Sequence, residues 1–488
     1  MSILIKNVAY LLPDCSSWGR GDILLEGNII AGIGNPTREV DANETIDASG
    51  KLALPGFINA HAHSYTSYLK GSVDCMPLDI YMLYAIAGGS FRTPREIYVC
   101  TLISALEMLK SGTTCVVDHF SQRPVLTPEG IEAAASAYEK IGMRANLALM
   151  FADLDFLDTL PADETELPER GSARRAAQSP EKFASVVEEA YRDCSGKNGL
   201  VRVMLGTDGP QRCSDKLLQI TGELERKYAM GWQTHALESK TQAVFSKQKY
   251  GYGLIEHLNE MGLLNGRLSL VHAVWLSERE IGLCAENGVS VVHCPGSNLH
   301  LGSGLAPLGM YRDCGVNIAI GSDGVNCGGA SMPEQLRLAA RLSRISELDY
   351  ERWITASDVL HMAYTGGAGA ALRDDIGRLE VGARADLFLV DRCSPICQPG
   401  GNLSRSLVYN WNGGGVDTVF VDGRKVIENG RSLIVNEGEL YAEAEEIYER
   451  LSSSLAPRFA EAGVQAEHLR RMYMRVMSEP WEVNRLGY

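Results

Sequence analysis

The sequence contains no run of the roughly 18 apolar residues that a membrane-spanning helix needs. It also has no cluster of lysine and arginine, and its formal net charge is −15. That charge argues against a nucleic-acid polymer or an anionic membrane as partner. The opening stretch, MSILIKNVAYLLPDCSSWGRGD, has no signal-peptide n-region and no small-residue cleavage site. Cysteine is present but unpatterned: twelve residues are scattered, several of them (Cys100, Cys115, Cys284) inside apolar runs. Such thiols read as buried and reduced, and the expected location is cytoplasmic. Cys393 and Cys397, in CSPIC, have no matching second pair, so a structural zinc is not expected there.

What is present is a chain of 488 residues, 45% hydrophobic and 22% charged, which is a globular balance. It is too long for one ordinary core and predicts one large domain with a smaller one. Short apolar runs alternate with helical patterns from residue 53 onward: 52–63, 113–120, 144–151, 201–209, 231–239, 268–277, 289–298 and 317–324. Between them lie helix-like segments such as 94–112, closed by Gly112, and 331–345, with Pro333 in its first turn. Eight strand–helix units predict a parallel sheet covered on both faces, closed as a (β/α)₈ TIM barrel of α/β class over 54–371. A doubly wound open sheet is the alternative, but no G-x-G-x-x-G follows the first strand to support it. Residues 1–53 and 372–435 share a texture of short strands and Gly/Asn turns and are expected to form one composite β-sandwich. Residues 436–488 are rich in Glu, Ala, Leu and Arg and read as a helical extension. The polar stretch 153–180 reads as a mobile surface loop.

Polar residues recur at the ends of these runs. His61 and His63 end the first, one residue apart, so both side chains face the same way on a strand. Alone, they are either a shared cation site or two polar residues at a strand tip. His235 and Glu238 close the fifth run, His272 the sixth, His293 the seventh and Asp323 the eighth. In a parallel barrel these ends share one rim, where active sites of this architecture lie. Imidazoles with one carboxylate suit Zn²⁺ or Fe²⁺, whereas an all-oxygen shell would suit Mg²⁺ or Ca²⁺. Glu238, three residues past His235, is placed to move protons without ligating a metal.

These stretches resemble the amidohydrolase superfamily. The resemblance rests on PGFINAHAHS, THALES, VHAVWLS, VHCPGSNLHLGSGLAP, IGSDGVNCGGASMPEQLR and IGRLEVGARADLFLVD, and runs from about residue 2 to about 430. It is strongest toward the branch of cytosine, guanine, 8-oxoguanine and S-adenosylhomocysteine deaminases and triazine hydrolases. The resemblance implies one divalent metal, Zn²⁺ or alternatively Fe²⁺, held by His61, His63, His235 and Asp323. It implies Glu238 as the proton carrier, His272 as a polarising or orienting group, Asp323 in a catalytic role, and His293 and Asn298 near the pocket. His119, in DHF, and His300, where the family commonly has Lys or Arg, are further candidates for substrate contact. Tyr65 and Tyr68 could stack on a flat ring. The loop after the first strand lacks the family's usual tryptophan and ends in a glycine pair. The implied activity is deamination of a purine, pterin, pyrimidine or triazine. The alternative is a triazine-type dechlorinating or N-dealkylating hydrolase. A homodimer or larger homo-oligomer is implied as well.

Overall fold

The computed structural model describes residues 2–34, 41–167, 178–195, 199–392, 398 and 401–486. The CSPIC motif and residues 168–177 of the 153–180 loop lie outside the described residues. Eight parallel strand positions form the central sheet. They are Phe57–His63, Thr113–Phe120, Arg144–Phe151, Val201–Thr207, Trp232–Ala236, Leu268–His272, Ser290–His293 and an interrupted eighth, Ile318–Ile320 followed by Asp323–Gly324. The eighth strand closes the barrel. Its first piece pairs with the seventh strand, and its second piece pairs with the first. At the break, the Gly321 N–H donates to the His293 carbonyl (2.9 Å) and the Ser322 N–H to the His61 carbonyl (3.0 Å). A side chain at Gly321 would lie 2.8 Å from His61 Cβ, so only glycine permits this approach.

The run 52–63, read from sequence as one strand, is two. Lys51–Pro55 belongs to a second sheet and Phe57–His63 to the barrel. Gly56 makes the transition, because a side chain there would sit 1.9 Å from Thr114 Oγ1. The second sheet draws strands from both chain ends. Lys51–Pro55 pairs in parallel with Ser2–Leu11 and antiparallel with Leu387–Asp391. Arg144, at the start of the third barrel strand, ties the two sheets together. Its guanidinium donates to both Asp386 oxygens (2.7 and 2.9 Å) and to Asp422 (2.8 Å), with Arg144 and Asp386 buried. Removing one partner of such a buried pair costs about 3–5 kcal/mol, because it strands the other charge.

The C-terminal extension contains a helix of 42 residues, Glu437–Ser478, with Pro457 inside it. Its buried Leu469, Met472 and Val476 pack against Leu83 of helix Leu78–Gly88, Leu160 and Val244. Lys240 donates to the backbone carbonyls of Met477 and Glu479 at the end of that helix. The described part of the 153–180 loop is not free, contrary to its polar composition. Thr159 and Leu160 are buried, and Glu166 pairs with Arg475 of the long helix (2.8 and 3.0 Å). Among the described residues, no helix is long and apolar enough to cross a membrane.

Candidate active site

His61, His63, His235 and Asp323 converge on the C-terminal rim of the barrel, and the hydrogen bonds behind them dictate which nitrogens point inward. Gln233 Nε2 donates to the Ala60 carbonyl (2.9 Å) and lies 3.3 Å from Ser269 Oγ. Its Oε1 therefore faces His61 Nδ1 at 2.7 Å, which requires the proton on Nδ1. His63 Nδ1 donates to the His119 carbonyl (2.8 Å) and His235 Nδ1 to the Asp208 carbonyl (2.5 Å). All three Nε2 lone pairs are thus left free, and they face one another.

His63 Nε2 and His235 Nε2 are 3.3 Å apart, and Asp323 Oδ1 lies 3.4 Å from His61 Nε2 and 3.3 Å from His63 Nε2. Lone pairs at that distance repel unless a cation lies between them. A tetrahedral ion with bonds of about 2.0–2.1 Å separates its donors by about 3.3–3.4 Å, which matches. His61 Nε2 is buried without any hydrogen-bond partner, as expected of a ligand atom. The donor set therefore fits a divalent cation.

Burial favours the neutral form of His63 and His235, the form that can ligate. It lowers His63 to about 4 and His235 well below the ordinary histidine range, with neighbouring imidazoles adding to the effect. Burial works against the Asp323 charge, but the surrounding imidazoles override it and keep the carboxyl well below its usual range. Ser297 donates to Asp323 Oδ2 (2.5 Å), leaving Oδ1 for the donor set.

Glu238 lies two residues past the fifth strand. Its N–H donates to Gln242 Oε1 (2.9 Å), and its Oε2 is 3.5 Å from His272 Nε2. Burial, with the Asp323 charge added, pushes its carboxyl well above the ordinary range and so favours its protonated form. His272 is held by Asn298 Oδ1 at 2.9 Å from its Nδ1. Leu237, His272 and Asp323 all adopt left-handed backbone (φ +47°, +66° and +62°). Backbone strain at non-glycine residues clusters at functional sites.

His63, His235, Asp323 and Glu238 open onto a cavity that is partly open to solvent. Tyr65, Leu78, Tyr81 and Met82 form one wall; Asp208, Gln211, Arg212 and Gln242 supply polar groups. The wall includes none of the four residues expected to touch substrate. His119 is fully buried among the candidate ligand rings, 4.6 Å from the His235 ring, and its Nδ1 lies 3.4 Å from Gln233 Oε1. His293 is fully buried at the end of the seventh strand, Asn298 is engaged with His272, and His300 is exposed on the helix Pro295–His300. A strand-end position sets the rim, but not how deep in the barrel a side chain comes to rest. Gln233, Ser297, Gln211 and Arg212 escaped the sequence reading. Only the stretch DGPQRC directly after the fourth strand offered a signal for the last two.

Asp79, on helix Leu78–Gly88, is buried against the Thr241 hydroxyl (2.7 and 2.8 Å to its two oxygens), and burial pushes it up to about 6. Its native form holds a proton more tightly than the unfolded chain does. It therefore favours folding as pH falls from above 6 toward 4, and its ionised form costs stability above 6. Asp79→Asn is expected to raise the unfolding free energy at pH 8 by up to about 3 kcal/mol. The gain should disappear near pH 4. Denaturant titrations of both proteins at the two pH values check this.

The closed barrel and the imidazole–carboxylate rim define a hydrolase-type metal barrel. The amidohydrolase family model matches residues 52–426, and the chain belongs to that family. It is 33% identical over 462 residues to a 5-methylthioadenosine/S-adenosylhomocysteine deaminase of Desulforudis audaxviator, covering 93% of this chain and 100% of that protein. Among solved structures, it is similar to a triazine hydrolase of Arthrobacter aurescens, with TM-score 0.84, 25% identity, and 92% and 99% of the two chains covered. It is likewise similar to an adenosine deaminase of Xanthomonas campestris with bound zinc, with TM-score 0.82, 25% identity, and 92% and 98% covered.

Proposed function

We propose that this chain is a metal-dependent aminohydrolase that replaces an amino group on an N-heterocycle by hydroxyl, breaking the C–N bond of a cyclic amidine. The observation that carries this reading is a buried carboxyl, Glu238, that lines the same cavity as His63, His235 and Asp323 and lies 3.5 Å from His272 Nε2. His61, His63, His235 and Asp323 would hold one Zn²⁺, in keeping with the zinc in the similar adenosine deaminase. Bound there, zinc lowers the pKa of water toward about 7 and supplies hydroxide at neutral pH. Glu238 gives its proton to the ring nitrogen as water adds to the neighbouring carbon, and the resulting carboxylate passes a proton from the added water to the departing amine. His272, held by Asn298, keeps its Nε2 beside Glu238 and Asp323 as charge moves between them. Water is consumed, ammonia leaves, and the amidine becomes a lactam. A reducing, cytoplasmic setting accords with the scattered cysteines of the sequence.

Ammonia release over a panel of aminated purines, pterins, pyrimidines and triazines tests the proposal. Release from at least one of them is the expected result, and none from any would overturn it. The likeness to triazine hydrolase favours a second reading, displacement of chloride or alkylamine from a triazine. Chloride release with no ammonia from any substrate would favour that reading.

A further inference from the structure

Gln211 sits in the turn Pro210–Arg212 just after the fourth barrel strand, and its side chain lines the cavity. It is 1% exposed, and its Oε1 is buried with no hydrogen-bond partner. A dry, unpaired amide oxygen is costly, and such an atom in a cavity wall implies a donor brought by the ligand. The turn that carries it is rigid. Lys249 Nζ donates to the Gln211 and Cys213 carbonyls (3.4 Å each), and Arg212 donates to Asp208 (2.9 Å). The amide lies over Gly209, where a Cβ would be 2.9 Å from both of its terminal atoms.

A second amide completes the pattern. Gln242 Oε1 already accepts the Glu238 N–H, so the cavity-lining Gln242 keeps its NH₂ as a donor. The wall thus offers an acceptor at Gln211, a donor at Gln242 and the carboxyl of Glu238. The complementary ligand carries a ring N–H, a carbonyl and a ring nitrogen next to the aminated carbon. A glycosylated adenine has no ring N–H, and its one amino group is the group that leaves. Carboxylates that could take up a sugar diol are also committed among the described lining residues. Asp208 is held by Arg123 (3.1 Å) and Arg212, and Asp323 and Glu238 face the imidazoles.

We propose that Gln211 is a specificity-determining residue that accepts a ring N–H, and that the substrate is a free amino-lactam base of the oxo-purine or pterin type rather than an adenine nucleoside. This rests on the aminohydrolase reading and narrows it.

Hypoxanthine is a lactam base with no amino group to lose, so its binding to the zinc-loaded protein is measurable by equilibrium dialysis without turnover. Gln211→Met, close in shape but with no acceptor oxygen, is expected to weaken that binding at least about tenfold. Gln211→Glu keeps the acceptor and is expected to stay within about threefold of the parent protein. Unchanged binding in Gln211→Met, or equal loss in both variants, overturns the proposal. In turnover, guanine or pterin is expected to exceed methylthioadenosine in kcat/KM by at least about 100-fold. The Gln211→Met loss on guanine is expected to exceed its loss on 2-aminopurine, which lacks the lactam, at least about tenfold. Ammonia from methylthioadenosine in preference to every lactam base overturns this inference while leaving the aminohydrolase reading in place. Ammonia from none of these bases, nor from any other heterocycle, removes both.

Discussion

Glu238→Gln is expected to lower kcat for ammonia release by about 10³-fold, within the 10²–10⁴ range of a lost general acid. Glutamine keeps the shape of the side chain, and the Glu238 backbone N–H still donates to Gln242. What is lost is the titratable carboxyl, whose protonated form burial favours. Metal content is expected to stay at the parent level, because Glu238 is not among the residues that face the donor set through free nitrogen or oxygen lone pairs. Steady-state kinetics with ammonia detection, paired with metal analysis of the same preparation, separates the two effects. A fall of less than tenfold would remove Glu238 from the chemistry. The same variant discriminates between leaving groups. Chloride departs readily without a proton, so chloride displacement from a triazine would survive the substitution far better than amine release.

Stripping the metal with a chelator is expected to bring ammonia release to background, and adding Zn²⁺ back to restore it. The physical reason is the arrangement of lone pairs: three imidazoles, each with Nδ1 engaged behind it, and one carboxylate oxygen within 3.3–3.4 Å of two of them. Without an ion, these donors have nothing to satisfy them. A ligand present at about a thousand times its Kd stabilises the fold by about 4 kcal/mol. The stripped protein is therefore expected to unfold at lower denaturant concentration by a corresponding amount. Retention of full activity after complete metal removal, verified by elemental analysis, would refute the assignment of these four side chains.

The ligand candidates were legible because their signal is local. His61 and His63 are two residues apart at the end of an apolar run, and period-2 geometry places them on one face whatever the rest of the chain does. His235 with Glu238, and Asp323 at the close of the last apolar run, are legible for the same reason. The residues that set their protonation state were not legible. Gln233 reads as one polar residue in a buried strand, and only the neighbouring strands show that Ala60 and Ser269 orient it toward His61. Ser297 is one serine among many until its hydroxyl meets Asp323. His119, His293, Asn298 and His300, expected to contact substrate, fall outside the cavity wall for a related reason. Residue type and strand register point to the rim, but the depth of a side chain depends on how the barrel tilts and on what packs beside it.

By itself, the sequence determined the alternation of eight strands with helices and the union of both chain ends in one texture, and it offered the imidazoles and carboxylates at the strand ends as candidates. Each of these follows from periodicity and composition, which act over a few residues. Tertiary structure alone decided the break at Gly321 that brings the eighth strand back to the first, and the transition at Gly56 from one sheet to the other. It alone decided the placing of Gln211 in the cavity wall as well. Those features depend on contacts between segments far apart in the chain, where steric room and unpaired hydrogen-bonding groups are settled only once the segments meet.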